Sequence, residues 1–80
     1  MRLSPVEHVL LYTLAAGIGV VVSYRELADA LGGTEHEVRN NTLARHISSL
    51  RRKLRDDAER PRYIETITNL GYRFVLAPKA

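Results

Sequence analysis

The sequence of 80 residues contains no cysteine. Neither a disulfide framework nor a metal site built on thiolates can therefore support the small core. Long hydrophobic runs are also absent: the longest, AAGIGVVV at residues 15–22, is far shorter than the roughly 20 residues of a membrane-spanning helix. The opening residues, MRLSPVEH, contain no apolar signal region. We expect one cytoplasmic domain, residues 1–80, with a single modest core and no membrane association.

Residue arrangements that carry catalysis or hold a cofactor are missing as well. The three histidines, His8, His36 and His46, are not at the spacing of metal ligands, and no glycine-rich phosphate loop occurs. The carboxylates lie in polar stretches of sequence, without the apolar neighbours that shift the pKa of a catalytic acid. We therefore expect no enzyme activity, no metal and no cofactor.

The sequence does contain a block of positive charge. Residues 1–38 carry two basic and five acidic side chains, a formal charge of −3, whereas residues 39–62 carry eight basic and three acidic side chains, a charge of +5. The densest part is RHISSLRRKLRDD at residues 45–57. A charged strip on a helix is most often only solvated, so charge alone does not distinguish a solvent-facing helix from a nucleic-acid-binding surface.

Two capping motifs predict where helices begin. SPVE at residues 4–7 supplies a serine N-cap, a proline at the first helical position and a glutamate three residues after the cap. SYRE at residues 23–26 repeats the serine and the glutamate. The first helix is predicted over about residues 5–16, and the second from SYRE to the glycine pair at residues 32–33. Between them, the valines at residues 20–22 favour a short buried strand.

A third helix is predicted after Asn40 and Asn41, which can cap its first turn. The preceding TEHEV is expected to form a polar loop. The buried face of the helix follows from apolar residues spaced by four, three and four positions: Leu43, Ile47, Leu50 and Leu54. The remaining surface is polar and basic. Asn41, Arg45, Ser48, Ser49, Arg52 and Asp56 lie opposite the buried face, with Thr42, His46 and Lys53 on one flank and Arg51 on the other.

After residue 61 the pattern changes from helix to strand. YIETI and YRFVL are rich in β-branched and aromatic residues, and TNLG between them suits a tight turn. Because Ile64 and Ile67 cannot share a face of a regular strand, we expect a twist or bulge near this turn. The predicted fold is α+β and mostly α: a winged helix-turn-helix with three helices, a short strand and a C-terminal hairpin wing at residues 63–76.

Four stretches carry a family resemblance: LSPVEHVLLYTL, VVSYRELADALGG, LARHISSLRRKLRDD and IETITNLGYRF. In this order they resemble the DNA-binding domain of OmpR/PhoB-type response regulators, over residues 3–74. The resemblance implies sequence-specific binding of double-stranded DNA in two-component transcription regulation. The third helix, about residues 41–55, would enter the major groove, and the wing would lie on the adjacent backbone or minor groove. The receiver domain and N-terminal sheet that precede this domain in the family are expected to be absent.

The resemblance also implies a role for particular positions. Those near base edges are Thr42, Arg45, Ser48 and Ser49, joined by Arg52 if the helix rolls. Those near phosphates on the same helix are Asn41, His46 and Arg51. In the wing, Thr66 and Tyr72 would hold phosphate. Thr68 stands where the family often inserts an arginine into the minor groove, so a shallower wing contact is expected.

Further partners follow from the same resemblance. In activators of this type the loop at residues 33–40 contacts RNA polymerase, and Glu35 and Glu37 suit a basic partner surface; an ordinary solvated loop is the alternative. The family binds head to tail on direct repeats, so we expect a monomer in solution and a tandem pair on DNA. The acidic first half of one copy would face the basic second half of the next. A winged helix can also present its helix or wing to another protein, and a protein-binding module is the alternative function.

Overall fold

A capping box fixes the start of the first helix in the computed structural model, which describes residues 2–34, 42–57 and 59–76. Helix α1 spans Pro5–Ala15. The hydroxyl of its N-cap, Ser4, accepts a hydrogen bond from the Glu7 amide at 3.1 Å, and the Glu7 carboxylate accepts one from the Ser4 amide at 2.7 Å. These two reciprocal bonds satisfy two amides that would otherwise lack partners at the helix start. The predicted first helix is confirmed.

The second capping motif works in the same way. Strand β1, Val21–Ser23, leads directly into helix α2, Tyr24–Leu31, and the Ser23 hydroxyl accepts a hydrogen bond from the Glu26 amide at 3.1 Å. Helix α2 ends at Gly32, which takes the left-handed conformation with φ of 76°. Glycine adopts this conformation without the steric cost that a side chain brings. Both predicted elements are confirmed, the strand one residue later than expected.

Helix α3 spans Leu43–Leu54 and contains most of the basic block. The predicted capping residues Asn40 and Asn41, and the predicted loop from residue 35 onward, lie outside the described residues. The helix ends at Arg55, which is left-handed with φ of 57° although it is not glycine. The next residue, Asp56, donates its amide to the Arg51 carbonyl at 2.8 Å and so completes the helix C-terminus.

The hairpin and β1 form one antiparallel sheet in the order β1-β3-β2. Strand β2 spans Ile64–Ile67 and strand β3 spans Gly71–Phe74, joined by a turn in which Asn69 is left-handed. The pairing of β2 with β3 runs from Ile64 opposite Phe74 to Ile67 opposite Gly71 without a skipped residue. The bulge suggested for this hairpin is therefore wrong. Ile67 need not share the buried face, because it is only half-buried whereas Ile64 is fully buried.

Gly71 lies where the backbones of β3 and β1 approach closely. A Cβ atom at this position would come within 2.0 Å of the Val22 carbonyl oxygen and 3.0 Å of the Ser23 Cα. No side chain fits there without moving β1. The glycine of the GYRF motif is thus required for β1 to pack against β3. Through β1, the hairpin is linked to the start of α2.

Every element contributes to a single core. Its buried apolar side chains come from all three described helices and from the sheet: Leu10, Leu14, Leu27, Ala28, Leu43, Ile47, Leu50, Val22, Ile64 and Tyr72. Within α3, Leu43, Ile47 and Leu50 are buried as predicted, whereas Leu54 is half-buried. The predicted winged-helix fold, with three helices and a small antiparallel sheet over the described residues, is confirmed. None of the helices so described is long and apolar enough to cross a membrane.

Candidate nucleic-acid interface

The outward surface of α3 is made of four exposed residues that we call the reading face: Ala44, Arg45, Ser48 and Arg52. They follow one another around the helix opposite to and beside the buried leucines, and together they line one shallow depression. Two guanidinium groups therefore flank a methyl group and a hydroxyl. The small side chains leave room for a close approach, and the arginines supply charge and paired donors.

One flank of α3 is turned toward α1 by a buried carboxylate. Glu7 is only 2% exposed, and its Oε1 atom accepts a hydrogen bond from Lys53 Nζ at 2.5 Å in addition to the Ser4 amide. The bond from Lys53, followed by those from the Ser49 hydroxyl and the Ser4 amide, lowers the pKa of Glu7 from 4.5 to about 2, against the effect of burial. The expectation that all carboxylates lie in polar surroundings is thus wrong for Glu7.

The other flank of α3 is joined to the wing through Arg51. This side chain is 9% exposed, and its Nη2 atom donates to the Ile64 carbonyl at 2.8 Å and to the Thr66 hydroxyl oxygen at 2.9 Å. Its Nε atom also donates to the Ile64 carbonyl, at 3.3 Å. The guanidinium group therefore bridges the helix and strand β2.

Asp56 makes a second connection between α3 and the wing. Its carboxylate follows the helix directly and accepts hydrogen bonds from the amides of Arg62, Tyr63 and Ile64, at distances from 2.6 to 3.3 Å. Three successive amides converging on one carboxylate hold the chain that enters β2 against the end of the helix. The position of the wing relative to the reading face is therefore fixed at two separate places.

The wing presents hydroxyl and apolar groups at its surface. Thr66 and Thr68 are exposed, and Leu70 at the turn is 58% exposed. Tyr72 is only 6% exposed, and its ring meets that of Tyr24 edge to face at 6.1 Å. Burial of its side chain raises the pKa of Tyr72. Tyr72 is thus first a core residue at the base of the wing.

The structure separates the site residues predicted from the sequence into three groups. Those exposed are Thr42, Arg45, Ser48, Arg52, Thr66 and Thr68; those half-buried are His46 and Ser49; those buried are Arg51 and Tyr72. Asn41 lies outside the described residues. The exposed helix residues come together on one surface, whereas Ser49 is next to Glu7 and Arg51 is bonded to β2.

Sequence reasoning missed Ala44 on the reading face. The available signal was its spacing, since residues 44, 48 and 52 are each four positions apart and share one side of a helix. Alanine offers no hydrogen bond, so its residue type alone does not indicate a contact with a partner. A methyl group can nevertheless contact the thymine methyl in the major groove, so its exposure beside two arginines is relevant to base readout.

Over residues 2–34, 42–57 and 59–76, no group of three or more acidic or histidine side chains is arranged to hold a metal ion. The fold and the basic reading face together define a winged-helix DNA-binding domain.

Comparison with known proteins places this domain in a family. The model of the C-terminal domain of transcriptional regulatory proteins matches residues 1–74. The KDP operon transcriptional regulatory protein KdpE of Escherichia coli K12 is 36% identical over 76 residues, which are 95% of this chain and 34% of KdpE. The transcriptional regulator HilA of Salmonella typhimurium is 40% identical over 74 residues, 92% of this chain and 13% of HilA.

A solved structure agrees with this placement. The DNA-binding domain of Klebsiella pneumoniae RstA, determined in complex with the RstA box, superposes with a TM-score of 0.83 at 32% identity, covering 92% of this chain and 73% of that domain. The chain belongs to the family of C-terminal domains of transcriptional regulatory proteins, the OmpR/PhoB type. It spans about a third of KdpE and about an eighth of HilA. The family is one of transcriptional regulators and not of enzymes.

The buried Glu7 predicts how stability depends on pH. The pKa of this carboxylate is depressed in the folded protein, so its contribution is present above the unfolded value of 4.5 and is lost as the pH falls towards 2. Glu7→Gln should lower the free energy of unfolding at pH 7 by roughly 1.5 to 3 kcal/mol, because it removes a charge-assisted hydrogen bond. It should also flatten the loss of stability between about pH 5 and pH 2.

Urea denaturation at a series of pH values measures both effects. Glu26→Gln is the matched control, because Glu26 occupies the same position in α2 but is exposed, and its carboxylate accepts a hydrogen bond from the Ser23 hydroxyl. Parallel stability profiles for the wild type and Glu7→Gln across the acid range would contradict the prediction.

Proposed function

We propose that this domain binds double-stranded DNA sequence-specifically, with α3 in the major groove and the wing on the adjacent backbone. The observation that carries the proposal is the reading face, where Arg45 and Arg52 flank Ser48 and Ala44 on one exposed surface. An α-helix fits the major groove, and arginine pairs with the O6 and N7 acceptors of guanine through two hydrogen bonds. Both arginines are available for that contact, and the small residues between them allow the bases to come near.

Phosphate contacts would supply most of the affinity. Duplex DNA releases condensed counterions when cationic side chains approach its phosphates, so binding strengthens with each such contact. Candidate donors around the reading face are the exposed Thr42 and the half-buried His46, which line a second depression together with Arg45. Asn41, also expected to touch phosphate, lies outside the described residues.

The wing would make a shallow contact. Its turn carries Thr68, Asn69 and the exposed Leu70, and none of these can reach into the minor groove as an arginine does. The hydroxyls of Thr66 and Thr68 are exposed and can donate to backbone phosphates. We therefore assign sequence discrimination mainly to α3, and a positioning contact on the backbone to the wing.

The remaining partners are proposals of lower structural detail. A contact of the loop at residues 33–40 with RNA polymerase rests on the family resemblance, and residues 35–40 lie outside the described residues. A location in the cytoplasm follows from the proposed binding to DNA. Docking of another protein on the reading face is the alternative function, favoured by no specific contact.

Steep salt dependence is the first expected result. Binding to a duplex should weaken with salt so that log affinity against log salt concentration has a slope of roughly −3 to −6, from about four to seven phosphate contacts. Fluorescence anisotropy with a labelled duplex over a salt series measures the slope. A flat profile would exclude DNA as the partner and favour the protein-binding alternative.

The two arginines of the reading face should control base preference. Arg45→Ala and Arg52→Ala should each cost roughly 1 to 3 kcal/mol on the preferred site and relax the preference at one base pair. Arg2→Ala, an exposed arginine outside α3, removes the same charge and should leave the preference unchanged. The measurement is selection of bound sequences from random duplexes, repeated with each variant. Unchanged preferences for Arg45→Ala and Arg52→Ala would show that another face reads the bases.

Assembly on DNA should require two copies. One recognition helix covers few base pairs, too few for useful discrimination in a genome, so we propose a monomer in solution and a head-to-tail pair on DNA. Duplexes with two sites roughly 10 to 11 bp apart, as direct or inverted repeats, test the arrangement in a binding titration. Cooperative binding is expected on direct repeats. Preference for inverted repeats would replace the head-to-tail pair with a twofold one and leave DNA binding intact.

A further inference from the structure

Arg51 occupies an unusual place for a phosphate-binding residue. The family resemblance puts it among the groups that touch the DNA backbone, yet its side chain is only 9% exposed. Three of the hydrogen bonds available to its guanidinium group are formed within the domain, two to the Ile64 carbonyl and one to the Thr66 hydroxyl. A buried cation is stabilised when its donors find acceptors, and here strand β2 accepts three of the five N–H donors of Arg51, from Nε and Nη2.

From this geometry we propose that Arg51 is a positioning residue for DNA binding: it orients the Thr66 hydroxyl toward the DNA and does not itself contact a phosphate. The inference rests on the proposed function of the domain. It goes beyond that function by giving Arg51 an indirect role, exerted through the phosphate contact of Thr66.

The chemistry of the two groups supports this assignment. A guanidinium group is a donor only, so the Thr66 oxygen must accept in the bond of 2.9 Å from Arg51 Nη2. The hydroxyl hydrogen of Thr66 is then directed away from Arg51. Because the Thr66 residue is exposed, this hydrogen can be donated to a phosphate oxygen at the surface. The nearby positive charge strengthens the hydroxyl as a donor.

The same bonds connect the contact to the recognition helix. Arg51 belongs to α3, one residue before Arg52 of the reading face, and its guanidinium group is bonded to the strand that carries Thr66. The distance between the base-reading arginine and the phosphate-binding hydroxyl is thereby fixed before DNA arrives. A prearranged pair of contacts avoids the entropic cost of ordering the wing on binding.

Removal of Arg51 should leave the domain folded. Asp56 holds the residues that enter β2 through the amides of residues 62–64, independently of Arg51. Pairing of β2 with β3 is also unaffected by the side chain. Variants at position 51 can therefore be compared as folded proteins, with thermal melting as the check.

The experiment measures duplex binding over a salt series for three single variants, Arg51→Met, Arg51→Lys and Thr66→Val. It also includes the double variant that combines Arg51→Met with Thr66→Val. Each single substitution should weaken binding roughly three- to tenfold, the effect of one hydrogen bond. The double variant should be no weaker than Thr66→Val alone, because Arg51 acts through Thr66. The salt slope of Arg51→Met should match that of the wild type, and Thr66→Ser, which keeps the hydroxyl, should bind normally.

Arg51→Lys separates the effect of the positive charge from the effect of the guanidinium geometry. A lysine keeps the positive charge but has no planar fork to reach both Ile64 and Thr66, so it should bind as weakly as Arg51→Met. If Arg51 contacted a phosphate instead, Arg51→Met would make the slope shallower by roughly 0.9, Arg51→Lys would restore it, and the double variant would show additive losses. Those results would overturn the positioning role while the proposed DNA binding stands.

Two further controls complete the comparison. Arg2→Met removes an exposed arginine outside α3 and should leave affinity and slope unchanged. If Arg51→Met melts before the binding temperature, Arg51→Lys and Thr66→Val still decide the question, because a phosphate contact predicts normal binding for the lysine variant. Absence of salt-dependent binding by the wild type would instead remove the proposed function, and this inference with it.

Discussion

An ion pair between the buried Glu7 carboxylate and the partly exposed Lys53 holds one flank of α3 against α1. Glu7 lies 46 positions from Lys53 in sequence. Its carboxylate accepts a hydrogen bond of 2.5 Å from the Lys53 ammonium group, which joins α1 to α3. Glu7 also completes the capping box of α1 with Ser4, so the same carboxylate stabilises the start of one helix and holds a flank of another. Because Lys53 and Ser49 are directed toward α1, the surface left for a partner is centred on Ser48 and not on Ser49. The set of α3 side chains exposed to a partner thus depends in part on a contact with α1 that lies outside the reading face.

The opposite flank of α3 is held by the wing, so the helix is constrained from two sides. Arg51 and Asp56 bond to successive parts of the chain entering β2, the first through a guanidinium group and the second through a carboxylate. Strand β3 then joins β1 at Gly71, where no side chain can be accommodated. This close approach links the wing to the start of α2, since the Tyr24 amide donates to the Leu70 carbonyl at 3.1 Å. Hydrogen bonds therefore link α3, the wing and the start of α2 to one another.

Local features were predictable from the sequence, and long-range ones were not. The capping motifs located α1 and α2, and the spacing of leucines located the buried face of α3, because each signal involves residues within a few positions of one another. The strand pattern on either side of TNLG located the hairpin, and the family motifs added the proposed function. The contact of one flank of α3 with α1 involves Glu7, and the burial of Arg51 involves Ile64 and Thr66. These partners are distant in sequence, so neither contact follows from helical periodicity. A helical wheel placed Ser49 opposite the core without any means of showing that α1 covers it.

The use of charge inside the domain changes what the basic block can offer a partner. Of the basic residues in α3, Lys53 pairs with Glu7 and Arg51 with β2, which leaves Arg45 and Arg52 free of such internal contacts within the described helix. Glu7 is likewise removed from the acidic half of the chain. Among residues 2–34 the accessible acids are then Glu26 and Asp29, equal in number to the basic Arg2 and Arg25. The contrast of −3 against +5 read from the sequence is therefore weaker at the described surface, so the proposed pairing of two copies would depend on DNA holding them together more than on attraction between their halves.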